Sequence, residues 1–151
     1  MSSGNRNNQI GPPRFAIAIH SLVWLAQSEK LLTSSAIALK VKSHATFLRR
    51  VMAQLAAEGI VETKEGREGG YSLKVPASQL TLADVYQAVR PECLVCMETS
   101  ECGEVGKQLD TALEEIMNEA EKETLRLLKG YTLEEFMKKV DFTNFENECL
   151  G

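Results

Sequence analysis

The stretch Thr33 to Lys74, TSSAIALKVKSHATFLRRVMAQLAAEGIVETKEGREGGYSLK, decides the fold. Ser34 to Val41 makes a short helix and Lys42-Ser43 a tight turn. A second helix opens after Ser43 as its N-cap and closes at Gly59, the residue type favoured just past a helix end. Leu48, Val51, Met52 and Leu55 repeat at i, i+3, i+4 and i+7, so one face of this helix is apolar. His44, Ala45, Thr46, Arg49 and Arg50 are left on the outward, N-terminal half, where a recognition helix meets bases and phosphates.

Beyond Gly59, Ile60 to Thr63 and Tyr71 to Val75 supply β-branched and aromatic residues, and Gly66, Gly69 and Gly70 allow a tight reversal between them. Lys64 and Arg67 ride on the tip of that hairpin. Helix, turn, longer helix and hairpin in this order predict a winged helix-turn-helix, with the wing reaching a flanking backbone or minor groove. The expected DNA contacts are Ser43, His44, Thr46, Arg49, Arg50, Lys64 and Arg67.

Working outward, Phe15, Ile19, Leu22, Val23 and Ala26 form one face of a first helix from Arg14 to Gln27, beside which His20 reads as a packing residue. Thr81 and Asp84 have the form of a capping box ahead of a short helix carrying Leu82, Val85, Tyr86 and Val89, and Pro91 then breaks the chain. Val105, Leu109, Ala112, Leu113, Ile116, Ala120, Thr124 and Leu127 recur at helical spacing from about Glu104 to Lys129. A helix of that length spans about 39 Å at 1.5 Å per residue, further than a small domain reaches. Its apolar stripe needs a partner that the short remaining chain cannot fully provide, so the same helix of a second copy is expected to cover it, with packing back on its own domain as the alternative. Leu109, Leu113, Ile116 and Ala120 are the expected dimer contacts. Gly130 ends this helix, and Thr132 with Glu135 caps one more short helix before a polar tail.

The expected fold class is therefore mainly α with a small β-wing, a winged helix-turn-helix plus a long C-terminal dimerisation helix. Residues 1–13 read as a flexible arm, 14–90 as the DNA-binding domain, 91–103 as a cysteine-containing loop, and 104–151 as the dimerisation helix and tail.

Charge is divided along the chain. The net charge is −4, yet residues 1–75 hold 10 Lys/Arg against 5 Asp/Glu, while residues 76–151 hold 7 against 16. Local positive potential of this kind displaces counterions from DNA phosphates even in a net acidic chain. No apolar run approaches the roughly 18 residues that suggest a membrane span, and the first 13 residues lack the apolar core of a signal peptide. A cytoplasmic location without membrane association is expected, where four cysteines read as thiols or ligands before structural disulfides. An enzyme is disfavoured, since no Ser-His-Asp set, P-loop or H-E-x-x-H pattern occurs and only His20 and His44 are available. A winged helix used purely for protein interaction is the other rival to a DNA-binding regulator.

Taken as an ordered set, RFAIAIHSLVWLA at 14–26, LRRVMAQLAAEGIVE running into the GREGGYSL wing, and TLADVYQAV at 81–89 resemble the Rrf-two family of bacterial winged-helix transcription regulators. The likeness covers about Arg14 to Leu128. It implies a homodimer that crosses long C-terminal helices on a partly palindromic operator in double-stranded DNA. It also implies a sensory cysteine region where this chain has PECLVCMETSECGE.

Cys93, Cys96 and Cys102 stand as C-x2-C-x5-C, three thiols that suit an iron–sulfur cluster or a zinc ion. Cluster-bearing relatives space their three cysteines more evenly. Their fourth ligand is a histidine shortly after the third cysteine or a carboxylate on the partner's first helix, whereas here Gly103 to Lys107 holds no histidine and the first-helix position is Arg14. Metal-free redox or nitrosative sensing is the second reading, since a thiol beside a helix start has its pKa lowered by the dipole while neighbouring glutamates oppose that. Inert cysteines are the third. The expected protein is a homodimeric repressor that responds to redox or nitrosative signals through Cys93, Cys96 and Cys102 and requires no cofactor, with an iron–sulfur cluster as the alternative.

Overall fold

The computed structural model describes residues 12–28, 30–90 and 103–143. Among the described residues, six helices and one hairpin follow in order: α1 (Pro13–Gln27), α2 (Ser34–Val41), α3 (Ala45–Ala57), β1 (Val61–Lys64), β2 (Gly70–Leu73), α4 (Leu82–Ala88), α5 (Gly103–Leu128) and α6 (Leu133–Met137). The order is that of a winged helix with a long C-terminal helix, as expected.

Local chemistry explains the element ends. Pro13 opens α1, where its missing N–H costs nothing. Thr33 caps α2 by accepting from the Ala36 N–H at 3.1 Å. Lys42 then turns left-handed, with φ 54° and ψ 47°, and the Ser43 N–H returns to the Ala38 carbonyl at 3.0 Å. Closing α2 in this way uses the Ser43 backbone, so His44 and not Ser43 takes the N-cap position of α3, and its side chain makes no capping bond. At the far end of α3, Gly59 is left-handed at φ 73°, and the Ile60 N–H reaches the Leu55 carbonyl at 2.9 Å.

The two strands pair antiparallel, Val61 with Leu73 through Lys64 with Gly70, one residue later at the start of the first strand than its composition suggested. A third segment takes part, one that no local pattern marks. Leu32, in the α1–α2 connection, exchanges both backbone hydrogen bonds with Tyr71, at 3.2 and 2.8 Å, and so fastens the wing to the helical core.

That core is built from one face of α1, α2, α3 and α4 together with Leu133 of α6. Ala18, Ile19, Leu22 and Leu25 of α1 meet Ile37 and Ala38 of α2 and Leu48, Val51, Met52 and Leu55 of α3, with Ile60, Val61, Leu80, Val85 and Val89 closing the base. Phe15, Val23 and Ala26 are only partly buried, so the stripe of α1 is rotated slightly from the one expected. Ser21 is fully buried, and its hydroxyl donates to the Ile17 carbonyl at 2.7 Å. His20, expected to pack, is exposed.

Leu133 of α6 is also fully buried in this core, a placement that contributes roughly 2 kcal/mol for a leucine side chain. Two capping boxes meet there. Thr81 with Asp84 starts α4, Thr132 with Glu135 starts α6, and the two loops exchange Leu82 N–H to Tyr131 carbonyl at 2.9 Å and Leu133 N–H to Leu80 carbonyl at 2.7 Å. The C-terminal end of α5 is thereby clamped to the winged helix, although the residues after 104 were expected to serve the dimer helix and tail.

Candidate DNA-contacting surface and signalling segment

The apolar period of α3 turns Leu48, Val51, Met52 and Leu55 inward. His44, Thr46, Arg49 and Arg50 are consequently exposed along its first two turns, while Ser43 is half-buried. Ala45, expected on the outward half, instead packs with Phe47 against the core, because its position at the start of α3 turns it toward the buried face. Two guanidinium groups, a hydroxyl and an imidazole thus share one solvent-facing surface, a set that supplies donors to phosphate oxygens and to base edges.

The wing adds Lys64 at the end of β1 and Arg67 in the turn, both exposed. Its turn is made by Gly66 at φ 109° and closed by Gly69 N–H to Gly66 carbonyl at 3.0 Å. Glu62, Glu65 and Glu68 are exposed beside these cations and reduce the wing's positive potential. Lys40 of α2 stands apart from this set, with its Nζ 4.6 Å from the centroid of the Trp24 ring, a cation–π contact the sequence did not signal.

In α5, by contrast, none of the 26 residues is buried. Val105, Leu109, Leu113, Ile116, Met117 and Leu127 are between 59% and 70% exposed, and Ala120 is exposed with them. The helix meets the winged helix along another side, where Glu121, Leu125 and Leu128 are half-buried and Glu121 pairs with Arg90 at 3.1 Å. An open groove of about 520 Å³ remains between α4 and α5, lined by Tyr86, Arg90, Glu114, Met117 and Thr124 among others.

Cys93, Cys96 and Cys102, with the tail Cys149, lie outside the described residues. Among the described residues no group of three or more His, Cys, Asp or Glu side chains could hold a metal ion. Nor, among those residues, is any helix long and apolar enough to cross a membrane.

Comparison with known proteins gives this arrangement a family. The Rrf2 family model, described as an iron-dependent transcriptional regulator, matches residues 13–139. Over 131 residues the chain is 32% identical to protein aau3 of Rhizobium meliloti (strain 1021), covering 85% of this chain and 84% of that one. Among solved structures, T. potens IscR aligns with a TM-score of 0.63 at 17% identity, over 86% of this chain and 87% of that one. CymR (YrzC), the global cysteine regulator of B. subtilis, aligns with a TM-score of 0.60 at 22% identity, over 86% and 97%. These two share the fold seen here, long C-terminal helix included. The family's work is transcriptional regulation and not catalysis, and by the length of the match the chain belongs to the Rrf2 family of winged-helix, DNA-binding transcriptional regulators.

Proposed function

We propose that the protein is a homodimeric repressor that holds a partly palindromic operator through α3 and the wing and releases it when thiols of the 91–102 segment are oxidised or nitrosated. The observation that carries this reading is α5, a helix of 26 residues with none buried and an apolar row along one side. Leaving that row in water forfeits the burial of several large side chains, each worth roughly 1.5–3 kcal/mol, and a second α5 is the matching surface nearest to hand. Leu109, Leu113, Ile116 and Ala120 would form its centre.

A dimer of this kind presents two copies of α3. Half-sites on one face of DNA lie about 34 Å apart, so a small rotation between the copies takes one recognition helix out of its groove. His44 and Thr46, nearest the helix start, would meet base edges; Arg49, Arg50, Lys64 and Arg67 would hold phosphates.

The cysteine segment joins Arg90, just past α4, to Gly103, the first residue of α5. Shortening this segment would act on the Gly103 end of α5, opposite the Leu133 clamp. Formation of a Cys93–Cys96 disulfide would do so: the two thiols lose two electrons and two protons to a peroxide, which leaves as two waters. Nitrosation of Cys96 would act by bulk in place of a crosslink.

The family's description as iron-dependent favours a second reading, in which Cys93, Cys96 and Cys102 hold an iron–sulfur cluster. Three thiolates suit such a group chemically. A fourth ligand is not evident in the sequence, and the described residues offer no preformed site. When bound, the group would supply redox or nitric-oxide chemistry, while the chain's own residues would still position α5 and α3.

The deciding experiment combines an absorption spectrum of anaerobically purified protein with operator binding of Cys96→Ala. Thiol sensing predicts a colourless protein that releases DNA on treatment with peroxide or a nitric-oxide donor and rebinds after reductant. Cys96→Ala then binds normally and loses most of that response. A coloured protein, bleached by replacement of any of the three cysteines, establishes the cluster reading instead.

A further inference from the structure

Lys42 is the only non-glycine residue with positive φ among the described residues. It occupies the turn between α2 and α3. The same helix-closing device appears twice in this chain: Gly59 does at the end of α3 what Lys42 does at the end of α2, each left-handed, each followed by an N–H that reaches back to the carbonyl five residues earlier. Glycine suits that conformation, whereas a side chain there brings Cβ close to the following carbonyl oxygen. The chain uses the relaxed residue in one turn and the strained one in the other.

A side chain retained against backbone strain asks for a use. The Lys42 side chain is exposed and pairs with no acidic residue among the described ones. It stands two residues before His44, the N-cap of α3, and four before the exposed Thr46. Lys40, the neighbouring cation in the last turn of α2, is drawn onto Trp24. The α2–α3 turn thus presents a single ammonium group on a stem of four carbons, beside the start of the helix that carries Arg49 and Arg50.

We infer that Lys42 is a DNA-phosphate contact at the turn of the helix-turn-helix, a positioning residue that sets the depth and register of α3 in the major groove. This rests on the reading of α3 as the recognition helix. A point charge here holds one phosphate and carries no sequence information, so its loss weakens every duplex alike. The competing use of the same charge is to complement the dipole at the C-terminal end of α2, which would affect folding and leave DNA untouched.

Lys42→Gln and Lys42→Arg separate the two, with Arg49→Ala measured alongside and each protein checked by thermal unfolding. Affinity for a fluorescent operator duplex and for an unrelated duplex is followed across a salt series. Lys42→Gln is expected to weaken both duplexes by a similar factor, about five- to tenfold at low salt, and to reduce the salt slope by about 0.9 per protomer bound; Lys42→Arg should restore both. Lys42→Gly, which relieves the strained turn, should raise the unfolding midpoint by about 2–4 °C while losing the same affinity. A salt slope unchanged in Lys42→Gln overturns the assignment. If Arg49→Ala lowers the slope in that case, only Lys42 has been misplaced; if neither substitution moves it, the reading of α3 falls as well.

Discussion

The Nε of Arg90 lies 3.1 Å from Oε1 of Glu121, an ion pair that joins the residue just past α4 to the second half of α5 across the open groove between them. The arginine side chain is 47% exposed and the glutamate 24%, so water screens the pair and its worth to stability is modest. A double-mutant cycle with Arg90→Ala and Glu121→Ala should give a coupling of about 0.2–1 kcal/mol that shrinks as salt rises. A coupling of roughly 3 kcal/mol, as found for broken buried pairs, would mean that this contact is desolvated in the working protein.

Leu113 sits near the middle of the exposed row of α5 at 59% exposure. Leu113→Glu should leave the unfolding of a monomer almost unaffected, because the side chain makes no core contact within one chain. Sedimentation should nevertheless show monomers, and operator binding at nanomolar protein should disappear, since an unpaired carboxylate cannot be buried at the seam. A variant that sediments as a dimer moves the interface off this stripe.

The wing's glycines make unequal demands. A Cβ on Gly70 would lie 2.7 Å from the Leu32 carbonyl oxygen, and one on Gly69 would lie 2.2 Å from the Lys64 carbonyl oxygen, whereas nothing stands within 4 Å of the position at Gly66. Gly70→Ala should therefore break the Leu32–Tyr71 bridge and cost about 1–3 kcal/mol in denaturant unfolding. Gly66→Ala carries only the conformational penalty of φ 109° and should cost less. The reverse order would show that turn conformation, and not attachment to Leu32, governs the wing.

Much of this arrangement was legible in the sequence because local rules generate it. The 3.6-residue period of Leu48, Val51, Met52 and Leu55 fixes which side of α3 faces out, and the Thr81–Asp84 and Thr132–Glu135 boxes mark helix starts by a pattern of four residues. What escaped depends on contacts between distant parts of the chain. Leu32 bridging to Tyr71, Leu133 entering the core and Arg90 meeting Glu121 follow from how elements pack, which no short window records. Ser43 misses the N-cap of α3 by one position, although a serine before a helix is the stronger local signal. The left-handed turn at Lys42, where a glycine would be expected, had already committed the Ser43 backbone to α2.

Two copies of the chain holding one duplex through α3 are tested most directly by titrating protein onto a fluorescent duplex from the region upstream of its own coding sequence, above and below saturation, across a salt series. The expected result is two protomers per duplex, affinity that falls linearly with the logarithm of salt concentration, and a slope reduced by about 0.9 per protomer in Arg49→Ala with sequence preference retained. Saturation at one protomer per duplex, or a slope that Arg49→Ala leaves unchanged, would contradict it.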